Sequence, residues 1–321
     1  VDSGITFSVT FDDGGLFTPW HAQLSSHLLA AGQQWAAYLG GTGQIDIVVR
    51  PFDGPRFGGR SLTTTYLTNQ VLNGNETRVY MQGAAGKLRT GVDPNGNDYD
   101  IEISIGQDLD YLGNELWFDA DPSARTAPVP MDKTDAMSVC LHELGHAWGF
   151  NGWRDVNSGL GPDPFGDPPL PYLSTFDMWL DESQLPEFAW QGPTSTARYG
   201  ADVPLTAGNI FHYGNAAPGP GSDLIPYLMN GVVFYRGSRY YISQLELATL
   251  ADANVLMAQA CYANCDGSTG MPSLTAADFS CFLARFRAGN AYANCDGSTG
   301  TPSLTASDFT CFLTKFRAGC P

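Results

Sequence analysis

MDKTDAMSVCLHELGHAWGF, residues 131–150, is the stretch on which the reading of this chain turns. Met137, Leu141, Leu144 and Trp148 recur at helical spacing, Asp132 or Thr134 offers a start, and glycines at 149 and 152 offer a stop. The segment therefore predicts one helix. Inside it stands HELGH, residues 142–146. Residues four apart lie one turn above each other on one helix face, so His142 and His146 are placed to grip a single ion. Neutral imidazoles suit zinc. The carboxylate next along from the first of them, Glu143, reaches a water on such an ion without ligating it, which makes it the candidate general base. Zinc polarises a carbonyl and brings the pKa of its water to about 7, and the reaction that this combination serves is hydrolysis of an amide.

A catalytic zinc takes three protein ligands and keeps a position open. The chain has only five histidines. His21 and His27 are six apart on an early predicted helix, on different faces, and read as surface residues. His212, in NIFHYGN after the Pro- and Gly-rich stretch, has nothing basic beside it and is the expected third ligand. Asp177, Glu182 and Glu187 are the carboxylate alternatives. Cys140, two positions before His142, faces another way and reads as a buried structural thiol. Tyr213, Tyr227 and Tyr235 are available to steady an oxyanion, and spacing singles out none of them.

Upstream, ITFSVTF (5–11), IDIVVRPF (45–52), TRVYMQG (77–83), YDIEISI (99–105) and NELWFD (114–119) read as strands. A helix carrying Trp20, Leu24, Leu28, Trp35 and Leu39 lies between the first two and ends at Gly40 and Gly41. Downstream, residues 153–211 are rich in Pro and Gly and read as a loop-dominated insertion with one helical piece near 175–182. Residues 242–257 read as a closing amphipathic helix. The expected class is α+β: a twisted mixed sheet and an active-site helix in a first domain, 1–258.

The tail, 259–321, is a different object. Residues 262–290 and 292–320 are identical at 23 of 29 positions. Each copy is too short to enclose its own core, so the two are expected to pair Phe279, Phe282, Leu283 and Phe286 with Phe309, Phe312, Leu313 and Phe316. Six of the seven cysteines lie here. One in each loop and one in each helix suggest Cys265 with Cys281 and Cys295 with Cys311, leaving Cys261 and Cys320 to close the ends. Fifteen pairings are open to six cysteines, and thiolate zinc ligation is the rival, disfavoured by the lack of CxxC spacing. Disulfides point to an oxidising compartment, hence to a secreted or cell-surface protein.

HELGHAWGF resembles the HExxHxxGF opening of the metzincin zinc peptidases, with Gly149 at the glycine that lets the chain turn beneath the metal. Most metzincins place the third histidine three residues further on, where this chain has Gly152. The leishmanolysin-like branch, which inserts about sixty residues first, is similar in this respect, and His212 fits that place. Met229 in IPYLMNG looks like the methionine turn of the clan. The resemblance covers roughly residues 132–257 and implies a zinc-dependent endopeptidase with a protein or peptide substrate. In the tail, NCDGSTG followed by LTAADF resembles dockerin-type and EF-hand repeats, which implies calcium at Asn264, Asp266 and Asp278 and at Asn294, Asp296 and Asp308. It also implies a cohesin-like or cell-surface receptor as partner. Here Tyr262 stands at the first ligand position, and about five extra residues follow Gly267. A structural reading of the same residues makes Asp278 part of a capping box with Thr275.

Composition narrows the field. The 321 residues include 33 acidic and 16 basic side chains, a net charge of −17, with 43% hydrophobic and 12% aromatic content. So few basic residues argue against a nucleic-acid partner. No run approaches the roughly 18 apolar residues of a membrane span. With no leader before Val1, the expectation is an exported chain already trimmed. The rival class is a surface binding or assembly protein whose metal site is structural and fully enclosed by four protein ligands.

Overall fold

A computed structural model describes residues 4–54, 56–72, 74–181, 188–258, 262–268, 274–296, 298 and 301–319. The chain divides into two compact units, Gly4–Met257 and a second that takes in the chain from Ala258 onward. The architecture is mixed α+β with several sheets.

In the first unit β1 (Ile5–Phe11) leads through a turn into α1 (His21–Ala36), then β2 (Gly43–Phe52), β3 (Phe57–Ser61), the hairpin β4 (Thr64–Leu72) and β5 (Asn75–Gln82), α2 (Gly83–Thr90) and β6 (Ile101–Gly106). The main sheet has the order β1-β2-β6-β3. Its first three strands are parallel and β3 runs antiparallel at the edge. The runs 5–11, 45–52 and 99–105 made three of these strands readable, the last beginning at Ile101. β3 was not readable, because FGGRS has two glycines and no alternating pattern. A Cβ on Gly59 would lie 2.0 Å from the Glu143 carbonyl oxygen, so that glycine is what lets the edge strand close onto the HELGH helix.

That helix is α3 (Ala136–Trp148), entered from two short parallel strands, β7 (Leu116–Trp117) and β8 (Thr134–Asp135). The expected strand over 114–119 is thus only two residues long, with a π-helical turn, Tyr111–Glu115, before it. The helix cap is Asp135 and neither Asp132 nor Thr134: its carboxylate accepts the Ser138 N–H at 3.2 Å and the Arg125 guanidinium at 2.8 Å. Every α3 residue except His146 is buried. Trp35 of α1 donates its indole N–H to the Leu141 carbonyl at 2.9 Å, tying the two helices together.

The insertion is more regular than its composition suggests. β9 (Tyr172–Ser174) joins the β4–β5 sheet, and β10 (Leu180–Asp181), β11 (Ala189–Trp190), β12 (Val203–Thr206) and β13 (Asn209–Tyr213) form an antiparallel sheet. The helical piece near 175–182 is a single 3-10 turn at Asp177–Trp179. The insertion's regular helix is α4 (Pro193–Tyr199), opened by proline in its first turn and stopped by Gly200 at φ 93°. The closing helix α5 (Gln244–Asp252) is shorter than expected, with Ser243 and Glu246 forming a capping box.

In the second unit, α6 (Ala276–Arg287) and α7 (Ala306–Ala318) repeat one design, each begun by a Thr/Asp capping box. Phe282 and Phe312 are fully buried and stack at 4.2 Å, with Phe279, Phe286, Phe309 and Phe316 packed around them. Leu283 and Leu313, expected in the same contact, are half-buried and outside that cluster. The Cys265–Cys281 and Cys295–Cys311 disulfides are formed. Cys261 and Cys320 lie outside the described residues.

Candidate metal centre

Three imidazoles converge from two elements. His142 and His146 project from α3, and His212 from β13, the last strand of the insertion's sheet. Their Nε2 atoms are 3.0 Å apart for His142 and His212, 3.1 Å for His142 and His146, and 2.9 Å for His146 and His212. The other ring nitrogens decide what this triangle is. His142 Nδ1 lies 2.7 Å from the Leu228 carbonyl oxygen, and His146 Nδ1 lies 2.7 Å from the Phe150 carbonyl oxygen. A carbonyl only accepts, so each Nδ1 carries its proton and each Nε2 of that pair presents a lone pair. The bare Nε2 atoms of His142 and His146, 3.1 Å apart, repel unless a cation or a proton sits between them. Burial reinforces this by holding the rings neutral: the pKa falls to about 3 for His142, helped by neighbouring His146, and to about 4 for His146. Burial and the two other rings drive His212 well below its ordinary value. The donor set fits a borderline-soft divalent ion such as zinc, whose bonds to imidazole are about 2.0–2.1 Å. Among the described residues no fourth His, Cys, Asp or Glu joins the group.

Glu143 is buried beside the triangle, and burial raises its pKa to about 8 against the opposing pull of a hydrogen bond from the Gly59 backbone. Beneath the helix lies Met229, fully buried, whose sulfur would be 2.6 Å from a Cβ at Gly145. Gly145 therefore admits the methionine between the two ligand positions. The turn around Met229 is bonded on every side. The Leu228 carbonyl holds His142, the Met229 carbonyl accepts the Tyr213 N–H at 2.8 Å, and the Met229 N–H donates to Glu246 Oε1 at 3.2 Å. Gly149 caps α3, and a Cβ there would lie 2.8 Å from Leu250 of α5, so its smallness serves close packing on that helix.

The carboxylate alternatives fall away where they are described. Asp177 is fully buried and accepts N–H groups of Trp153, Arg154 and Ser174. It also explains Gly152, since a Cβ there would lie 2.1 Å from its Oδ1. Glu182 and Glu187 lie outside the described residues. Tyr213 is buried with its hydroxyl on Thr249, away from the histidines, and Tyr235 is 56% exposed. The tyrosine that lines the cleft beside His142 and Glu143 is Tyr111, which the sequence reading did not single out. Cys140 is a buried free thiol, as expected. His27 corrects an expectation. It is fully buried, its Nδ1 bonded to the Gln23 carbonyl and its Nε2 accepting the Asp119 N–H at 3.0 Å. His21 is partly exposed and pairs with Asp13 at 2.9 Å.

In the repeats, Asp278 Oδ2 accepts the Thr275 N–H at 2.8 Å and Oδ1 the Asp266 N–H at 3.2 Å; Asp308 does the same for Thr305 and Asp296. Asn264 and Asn294 donate their amide N–H to the Ser268 and Ser298 carbonyls. Their Oδ1 atoms are buried without a hydrogen-bond partner.

No protein-family model, curated protein or solved structure matches the chain. No helix among the described residues is long and apolar enough to cross a membrane.

Proposed function

We propose that the chain is a secreted zinc-dependent endopeptidase of metzincin plan, with the long insertion of the leishmanolysin-like branch. The observation that carries this reading is the triangle of neutral Nε2 atoms, with Glu143 one residue after its first member and no fourth ligating side chain among the described residues. A site that leaves a coordination position open favours catalysis over the enclosed structural site of an assembly protein.

His142, His146 and His212 would hold the ion, which when bound supplies Lewis-acid polarisation of a carbonyl and acidification of water. Glu143 removes a proton from the attacking water and returns it to the departing amine. The outer edge of β3 leaves backbone N–H and C=O groups for an extended peptide, and Gly59 brings that edge against Glu143. Tyr111, its pKa pushed up to about 12 by burial, stays a phenol and offers an O–H donor on the cleft wall. Replacing Glu143 by Ala should leave zinc bound while hydrolysis of an unfolded protein such as casein falls by about 10²- to 10⁴-fold. Undiminished hydrolysis would rule the mechanism out.

The repeat unit is read as a calcium-stabilised attachment module for a cohesin-like or cell-surface receptor. The same unpartnered, buried Oδ1 atom in both copies, Asn264 and Asn294, supports a cation there. Two disulfides fit an extracellular setting.

A further inference from the structure

The cleft beside Glu143 has a volume of about 250 Å³, room for one amino-acid side chain, and its walls explain more than the cleavage reaction requires. They are mixed: Phe57, Val139, Val232, Val233 and Phe234 supply apolar surface, and Asn209 and Asn230 supply neutral polar groups. One cation interrupts them. The Arg56 guanidinium lines the same cleft and lies 5.7 Å from the centre of the Tyr111 ring. No carboxylate among the described residues forms an ion pair with it, whereas Arg50, Arg60, Lys87, Arg125, Arg236 and Arg239 all have one. Glu143, the only carboxylate in the cleft wall among the described residues, is bonded to the Gly59 backbone, and Glu115 is engaged by Arg236. An aromatic ring beneath a guanidinium holds it in place without neutralising it.

We propose that Arg56 makes this cleft select a carboxylate, carried by an acidic side chain just after the cleaved bond. The inference rests on the peptidase reading of the same site. Its direction follows from β3. Gly59 lies against Glu143, and Arg56 precedes the first residue of the strand. A peptide added antiparallel on the outer edge runs opposite to β3, so the residues that follow its cleaved bond lie towards Phe57 and Arg56. A side chain with a short aliphatic stem and a charged end, glutamate above all, matches walls that set apolar side chains and neutral amides around a single cation. The net charge of −17 would draw basic peptides from a distance. Screening over about 8 Å at physiological ionic strength leaves that field weak at the cleft, where the nearest unpaired charge decides.

The test uses the zinc-loaded full chain and internally quenched peptides that differ only in the residue after the cleaved bond: Glu, Gln or Lys. A fourth peptide ends at a Gln in that position with a free C-terminal carboxylate, and a fifth is its amide. At low salt kcat/KM for Glu should exceed that for Gln by about tenfold, and the ratio should shrink as salt is added. Arg56→Ala should bring the Glu/Gln ratio to about one, and Arg56→Glu should invert the order in favour of Lys. Because each ratio is taken within one variant, a loss of folded protein cancels. A Glu/Gln ratio near one in the wild type, or a ratio that survives Arg56→Ala, overturns the proposal. Preference for the free terminal acid over its amide, with none for Glu over Gln, assigns the carboxylate to a chain terminus and overturns the side-chain form. If zinc binds and no peptide is cut, the peptidase reading fails and this proposal falls with it; cleavage without charge preference sinks this proposal alone.

Discussion

The two units of the chain hold their structures by different means. Gly4–Met257 has one continuous buried cluster that includes Trp35, Trp148, Trp190 and Tyr213, and its single cysteine is a free buried thiol. Among the described residues, the repeat unit has five in its buried cluster, Ala263, Cys265, Phe282, Ala293 and Phe312, and two disulfides. Its copies also clasp each other. Tyr262 and Tyr292 stack at 4.8 Å and each donates its hydroxyl to the other's carbonyl. Surface grows more slowly than volume, so a domain of about 250 residues stabilises itself by burial, whereas about 60 residues need cross-links or ions. The difference also decides where polar groups are tolerated: the larger unit encloses a cluster of bare imidazoles that no small core surrounds.

Reduction should separate the units most sharply. A reductant should melt the repeat unit, each disulfide accounting for about 2–4 kcal/mol, and leave the transition of the larger unit in place, as followed by calorimetry. Two transitions that fall together on reduction would refute the contrast. Calcium should act on the same side but more weakly: at a hundred times its dissociation constant it adds about 2.7 kcal/mol to the repeat unit alone, read as a shift in one thermal transition. An Asn264→Ala, Asn294→Ala double variant should lose that shift.

Acid should reach the larger unit through His27, with the smallest effect of the three. Burial depresses its folded pKa below the ordinary 6.5. The unfolded chain therefore binds the proton first, so the His27 contribution is complete above about pH 6.5 and fades as the pH falls towards the depressed value. The stability advantage of wild type over His27→Gln should accordingly shrink between pH 7 and pH 5 in denaturant titrations. An advantage that is constant with pH would mean that His27 does not titrate on unfolding.

Legibility followed sequence distance. HELGH declared its geometry because its spacing is local, and the repeat suggested two of its disulfides because one cysteine in each loop and one in each helix recur at the same spacing. His212 was legible by elimination, once His21 and His27 were read as surface residues, and by the place that the resemblance assigns to a third histidine. His27 was misjudged because the group that needs its Nε2 is the Asp119 N–H, 92 residues away. Gly59 and Gly152 were silent for the same reason: each is small on account of a distant neighbour, Glu143 for one and Asp177 for the other. The strands within 153–211 hid because edge pairing of two to four residues leaves no periodic signature in a Pro- and Gly-rich stretch.

The peptide between Leu228 and Met229 has one face on each side of the chemistry: its carbonyl steadies His142 and its N–H rests on Glu246, at the head of α5. A single rigid amide plane thus carries the charge state of a capping carboxylate to the ring that would grip the ion. Anyone who re-engineers the first turn of α5 for thermal robustness would also, through that plane, retune the ring proposed to grip a cation.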